Sequence, residues 1–393
     1  MRFQLKIIFI IIWVIFIFLM LEWTSYIILP VAKFNLLEAI QTICYEDQVL
    51  FWKQRKNLNT IFQGKKLKTN SLGLRNAEII DPKPQETLRI ICLGASSTFG
   101  WGVGQESMYS KKLEELLNAK GINAEVINAG VIGYTTFQGK EMFKKELFKY
   151  KPDLITIAYI LNDVDRYRFF RNEGLSDSEL ELAPSKFIII KNMFYRSRSC
   201  FILKRLISKV LQKNKKAITA LYKKRFYLSK IRVSPDEYQN NLEQLIFLAK
   251  EKEIKVLLVK MPVNLDTPVL TARERKIIKS GKNLSKYCFH LAVQNENQQR
   301  LDKALLLYKK ALDYQVFDCL NDAAKYHNIL EKLALQHNVS LVDVVQAFTE
   351  QVDNTSLFNY PNDVIHLSAK GHEVIAGEIF RIIEKDKLLM HLM

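Results

Sequence analysis

Residues 7 to 21 form an unbroken apolar run, and after Glu22 the apolar character resumes through Leu29. That span of 23 residues is long enough for a helix to cross a bilayer, which needs about 20. A mixed juxtamembrane stretch follows over 31–85 and ends in Asp81-Pro82-Lys83-Pro84, a natural boundary. Beyond it the pattern changes. Short apolar runs at 88–93, 125–128, 154–160, 255–263 and 339–344 read as strands. Amphipathic stretches at 111–120, 138–150, 236–252 and 368–385 read as helices. Strands of this length alternating with helices imply parallel pairing with helices on both faces. The expected fold of 86–393 is therefore α/β, a three-layer α/β/α sandwich with a mainly parallel five-stranded sheet.

Two insertions interrupt that alternation. Residues 283–336 read as a helical hairpin, LDKALLLYKKALDY followed by NDAAKYHNILEKLALQH. Its first helix resembles a tetratricopeptide-repeat helix. A stable solenoid needs about three such units and one is visible, so decoration is favoured over a peptide-binding array. The other insertion, 166–232, is basic. It carries 18 basic and 4 acidic residues, whereas the whole chain of 393 residues has a net charge of +17. The rest of the protein is nearly neutral. Within the insertion, apolar pairs recur at helical spacing (Phe201 to Leu203, Leu206 and Ile207, Val210 and Leu211) around Lys204, Arg205 and Lys209. Two readings stay open: a helix packed on the domain with a solvated basic face, or contact with an anionic membrane surface.

Charge also orients the apolar N-terminal run. Arg2 and Lys6 precede it, while Glu38, Glu46 and Asp47 follow, which puts the N-terminal side in the cytoplasm and the bulk of the protein outside. A cleaved signal peptide would have an apolar core of about 7–15 residues and a small-residue cleavage site, and neither is present. Gln41-Thr42-Ile43 before Cys44 does not suit lipoprotein processing. The expectation is a single-pass signal anchor over 1–30, in the membrane through 7–29. With 48% hydrophobic and 25% charged residues, most of the chain is excluded from intrinsic disorder. Five cysteines without a C-x-x-C pair argue against a disulfide framework or a cysteine-rich zinc site, and leave one chance disulfide open.

Candidate chemistry falls at strand ends, where open α/β sheets place their sites. Gly94-Ala95-Ser96-Ser97-Thr98-Phe99-Gly100 follows the first strand and would expose a serine hydroxyl at a sharp turn. It could instead cradle an anion, but it fails the P-loop pattern, and it is not the G-x-S-x-G elbow. Asn128-Ala129-Gly130-Val131-Ile132-Gly133 follows the second strand, where glycine would let a backbone N–H approach a ligand. Leu161-Asn162-Asp163 follows the third; its carboxamide could donate to an oxyanion or cap a helix. Near the C-terminus, Asp363-Val364-Ile365-His366 sets acid and imidazole three residues apart, the orienting half of a Ser–His–Asp arrangement. Of the other histidines, 290, 327 and 337 lie in or beside the helical insertion, His391 is in the tail, and His372 has no acid at a matching offset.

These four blocks, in this order and at these strand ends, resemble the SGNH (GDSL-type) hydrolase superfamily over about 88–385, with a flavodoxin-like fold. The resemblance implies Ser96 as nucleophile, with Asp363 and His366 completing the triad. It implies an oxyanion hole from the Ser96 and Gly133 backbone and the Asn162 side chain. Two positions depart from the family pattern: Ala95 replaces the aspartate of Gly-Asp-Ser, and Ile160 replaces a glycine two before the asparagine. The implied activity is a serine esterase acting on an acylated glycan or lipid ester, with no metal or organic cofactor. An O-acyltransferase using the same residues, and a catalytically silent membrane-anchored scaffold, are the alternatives. No nucleic acid is expected as partner for an outward-facing domain.

Overall fold

The computed structural model describes residues 2–30, 33–171, 174–183, 185–228, 230–264, 270–280, 282–351, 355–359, 363 and 365–388. A single helix, Arg2–Ile28, contains the apolar run, and its stretch Lys6–Ile28 is long and apolar enough to cross a membrane. Residues 7–21 of that stretch are exposed throughout, whereas Ser25 near its end is buried against the rest of the protein.

The segment before the sandwich is built, not linking. After the helix Leu36–Ile43 come two antiparallel hairpins, β1 (Cys44–Asp47) with β2 (Phe51–Gln54), and β3 (Asn59–Phe62) with β4 (Lys65–Lys68). Ile40, Ile43, Trp52, Phe62 and Leu67 bury themselves in the same hydrophobic core as the large sheet.

That sheet has five parallel strands: β5 (Leu88–Gly94), β6 (Ala124–Gly130), β7 (Leu154–Ala158), β8 (Lys255–Lys260) and β9 (Ser340–Asp343). Their order is β6-β5-β7-β8-β9, as expected for a flavodoxin-like sandwich. Every residue of β5 is buried, which its nearly continuous apolar run requires of a central strand covered on both faces. Tyr109–Ala119 packs with Ala369–Lys385 in one helical layer, and Thr136–Met142 with Pro235–Lys250 in the other. The chain order reverses between β5 and β7, so the loops leaving β5, β6 and β7 converge at a topological switch point.

Two helical expectations change. The stretch expected as one helix over 138–150 is α-helical only over Thr136–Met142, then widens into a π-turn at Phe143–Leu147 and tightens at Phe148–Tyr150. The hairpin does not turn between LDKALLLYKKALDY and NDAAKYHNILEKLALQH. Both lie on one 36-residue helix, Leu301–Gln336. Residues 315–320 contain no glycine or proline to stop it. The turn falls earlier, after Leu284–Asn297, where Gln299 takes a left-handed conformation at φ 59°. Asp318 accepts the Leu284 and Ser285 N–H groups, and the two helices share a small core of their own around Phe289, Tyr308 and Phe317.

Candidate active site

Ser96 opens a single helical turn, Ser96–Phe99, directly after β5. Ala95 is its N-cap and makes no side-chain hydrogen bond there, so the turn lacks the acceptor an aspartate could supply. Other contacts hold the turn. The buried Arg75 donates to the carbonyls of Phe99 (3.1 Å), Gly100 (2.6 Å) and Val103 (2.8 Å). Asn128 Nδ2 donates to the Thr98 carbonyl at 2.7 Å. Burial brings the Arg75 pKa down to about 10, well above neutrality, so it stays charged.

Ser96 Oγ lies 2.8 Å from His366 Nε2, and His366 Nδ1 lies 2.5 Å from Asp363 Oδ2. A carboxylate only accepts, so Nδ1 carries the proton and Nε2 is free to accept from the serine hydroxyl. Asp363 Oδ1 accepts the backbone N–H groups of Ile365 (3.1 Å) and His366 (3.0 Å), which ties acid and imidazole into one small loop. Burial acts to raise the Asp363 pKa. The hydrogen bond and charge interaction with His366, with the two N–H groups, outweigh it and hold the carboxyl below its ordinary value. Trp101 stacks on the imidazole with ring centres 4.7 Å apart and planes 12° apart. Phe62 of β3 meets the other ring edge-on at 5.1 Å. Ser97 Oγ donates to the Ile365 carbonyl at 3.2 Å.

Gly133 sits on the loop after β6 and Asn162 in the single helical turn Leu161–Val164 after β7. Gly133 has φ 78°, a conformation that favours glycine, and a Cβ there would lie 2.7 Å from the Phe169 ring. Asn162 Nδ2 donates to the Tyr134 carbonyl at 3.0 Å, which fixes the amide and leaves its second N–H uncommitted by that bond. Three remote side chains grip the Gly133 loop: Gln54 Nε2 on the Gly130 carbonyl (2.8 Å), Trp52 Nε1 on that of Ile132 (2.9 Å) and Arg232 on that of Gly133 (2.6 Å). Arg232 and Arg168 are themselves buried around Asp177: Arg168 donates to Oδ1, and Oδ2 accepts from both Arg232 and Thr135 Oγ1. Burial acts to raise the Asp177 pKa, but the two guanidinium groups prevail and keep it below the usual carboxylate value.

The structure thus joins Ser96, His366 and Asp363 in one hydrogen-bonded chain and links Gly133 with Asn162 through Tyr134. Sequence reasoning missed Trp101, Arg75, Trp52, Gln54 and Arg232. Trp101 stands one residue beyond the Gly94–Gly100 block and was open to notice; the other four carry no local signal. His372 is fully buried, accepts the Tyr109 N–H on Nδ1 at 3.2 Å, and is brought down to a pKa of about 3 by burial. It is a neutral structural group near physiological pH. Among the described residues, no cluster of three or more His, Cys, Asp or Glu could hold a metal ion.

The sheet order and the loops gathered at its switch point define an α/β/α sandwich of the SGNH type. The chain belongs to the GDSL-like lipase/acylhydrolase family, whose model matches residues 92–374. It is accordingly a hydrolase of the esterase and acylhydrolase class. Comparison with curated protein sequences gives no match. Similar solved structures include a GDSL-like lipase from Bacteroides thetaiotaomicron, 15% identical, covering 78% of this chain and 92% of that one, with TM-score 0.40. A lipase/acylhydrolase from Enterococcus faecalis is 16% identical, with 76% and 96% covered and TM-score 0.40. An acetylxylan esterase from Geobacillus stearothermophilus is 16% identical, with 75% and 94% covered and TM-score 0.40.

Proposed function

We propose that the protein is a serine esterase that cleaves carboxylic esters, an O-acetyl glycan or a lipid ester, through an acyl-enzyme on Ser96. The observation that carries this reading is the continuous Ser96–His366–Asp363 hydrogen-bond chain at the sheet's switch point. A serine hydroxyl is a poor nucleophile without an adjacent base. His366 takes its proton as Oγ attacks the ester carbonyl, and Asp363 stabilises the imidazolium that forms. The Ser96 and Gly133 N–H groups and the Asn162 amide receive the oxyanion, each such donor worth about 3–4 kcal/mol in the transition state. His366 then gives the proton to the departing alcohol. Water, activated by the same imidazole, releases the acid and restores Ser96.

The helix Lys6–Ile28 acts in this reading as a retained membrane anchor, with its N-terminal side cytoplasmic and the catalytic domain on the outer face. Resistance to carbonate extraction tests the span. Protease added to intact spheroplasts should digest the region after Lys33, and full protection would invert the orientation.

A panel of p-nitrophenyl esters from acetyl to palmitoyl, with Ser96→Ala as the blank, tests the chemistry and ranks acyl chains. Acetyl preference selects the glycan ester and long-chain preference the lipid ester. Turnover that survives in Ser96→Ala overturns the assignment of the nucleophile.

A further inference from the structure

Helix Arg198–Leu211 shows its apolar stripe to the outside. Its inward face is set by Phe201, fully buried against the Phe34 ring at 5.4 Å, and by Arg205, ion-paired with Glu38. At about 100° per residue, Leu203, Leu206, Ile207 and Val210 fall on the opposite side. There they are between 49% and 66% exposed. A helix packed on a soluble domain would bury that stripe, and apolar exposure on this scale marks an interaction surface. The preceding helix, Ile188–Phe194, buries none of its residues, and Ile189 and Met193 are 75% and 69% exposed. It is pinned to β1 by paired hydrogen bonds between Asn192 and the Glu46 backbone at 2.7 and 2.8 Å.

What covers these faces follows from where they are docked. Glu22, inside the apolar N-terminal helix, accepts hydrogen bonds from Ser197 Oγ (2.7 Å) and the N–H groups of Arg198 (2.9 Å) and Ser199 (3.2 Å). It therefore caps the start of helix Arg198–Leu211 from across the chain and favours that helix's dipole. The Arg198 guanidinium lies 3.8 Å over the Tyr26 ring. Glu22 is six residues before Ile28, about 9 Å along the helix axis. A helix fastened at Glu22 and Tyr26 therefore lies at the boundary between headgroups and acyl chains.

We propose that Ile188–Phe194 and Arg198–Leu211 form a shelf lying in the surface of the membrane that the N-terminal helix crosses, on an anionic phospholipid leaflet. The proposal rests on that helix being the anchor. The exposed stripe enters the acyl region, and Lys204 and Lys209, which flank it, reach lipid phosphates. The middle of the basic insertion is in this way part of the anchor.

The test uses the full chain in phosphatidylcholine vesicles containing phosphatidylglycerol. Cys44, Cys92, Cys288 and Cys319 are buried, so Cys200→Ser supplies a quiet background for bimane on Val210→Cys, with Met193→Cys as second site. Leu335→Cys, at a position 84% exposed on the helical hairpin, is the reference. Nitroxide-labelled lipid should quench both shelf positions several-fold more than the reference, and less once phosphatidylglycerol is omitted. Quenching equal to the reference overturns the shelf. Protection from both nitroxide lipid and aqueous iodide overturns it too, by showing protein, such as a second copy, on that face. Quenching indifferent to phosphatidylglycerol refutes the anionic preference. Loss of the chain from vesicles in alkaline carbonate overturns the anchor itself, whereas retention without quenching overturns the shelf alone.

Discussion

The two sides of Ser96 are held by different kinds of contact. On the imidazole side, the acid lies three residues from the histidine it orients, and the loop bonds to its own backbone. On the glycine side, the side chains that grip the loop come from 76, 80 and 99 residues away. The difference follows from the chemistry each side is proposed to perform. Proton transfer needs reacting side chains in direct contact, so few residue types and spacings suffice. An oxyanion hole needs backbone N–H groups held still, and any rigid neighbour can do the holding. Motifs therefore survive on one side, and only tertiary structure reveals the other.

The sharpest way to break the comparison is on the imidazole side. Ser96→Ala and His366→Ala should each lower kcat by roughly 10⁴ or more, and the double variant should be hardly worse than either. Losses that multiply in the double variant would mean that the two do not act as a unit. A fluorophosphonate should label the wild type and spare Ser96→Ala; label on Ser97 or Ser107 would move the nucleophile.

The glycine side should fail through stability as much as rate. Arg232→Met removes a buried partner of Asp177 together with the grip on the Gly133 carbonyl. Breaking a buried pair by removing one partner costs about 3–5 kcal/mol, to be read by urea unfolding of the detergent-solubilised chain. A cost within the range of surface substitutions would show that Arg168 alone satisfies Asp177. Asn162→Ala should keep weak activity, with kcat lower by about 10²–10³ and KM little changed, because two backbone donors remain. An unchanged kcat would assign Asn162 to holding Tyr134 and nothing more.

The same contrast explains what was legible beforehand. The sheet strands were visible because strands such as β5 and β7 are buried on both faces and read as apolar runs. Ser96, Gly133, Asn162, Asp363 and His366 were visible because each follows a strand or sits in a short motif. The β1–β4 hairpins were not, since four-residue strands such as Lys65–Lys68, with one buried position, leave no period to detect. Yet this segment supplies Trp52, Gln54, Phe62 and Arg75 to the site. Net charge misled in another way. It grouped Arg168 and Arg232, buried around Asp177, with exposed lysines such as Lys204 and Lys209, and only burial separates them. The long helix was divided in sequence although its buried positions Ala311, Tyr314, Phe317 and Ala323 keep a helical course through 315–320 and no residue there terminates a helix.

The smallest effect concerns Asp163, next to Asn162 on the glycine side. It is fully buried, and one oxygen accepts from the Thr136 N–H (2.8 Å) and hydroxyl (2.5 Å). Among the described residues, its other oxygen has no partner. Burial raises its pKa to about 7, only partly opposed by the Thr136 bonds and the Arg232 charge. The folded state therefore keeps a proton that the unfolded chain releases at ordinary carboxylate pH. Stability from this group is highest in acid, falls as pH rises toward about 7, and levels off above it. Asp163→Asn removes that slope while keeping an acceptor for Thr136. Between pH 6 and pH 8 the wild type should lose about 1 kcal/mol relative to Asp163→Asn in urea unfolding. Taking the difference cancels the other titrating groups, His366 included. Parallel pH dependences in the two proteins would mean that Asp163 is ionised in the folded state throughout this range, and that the glycine side tolerates a buried charge beside Asn162.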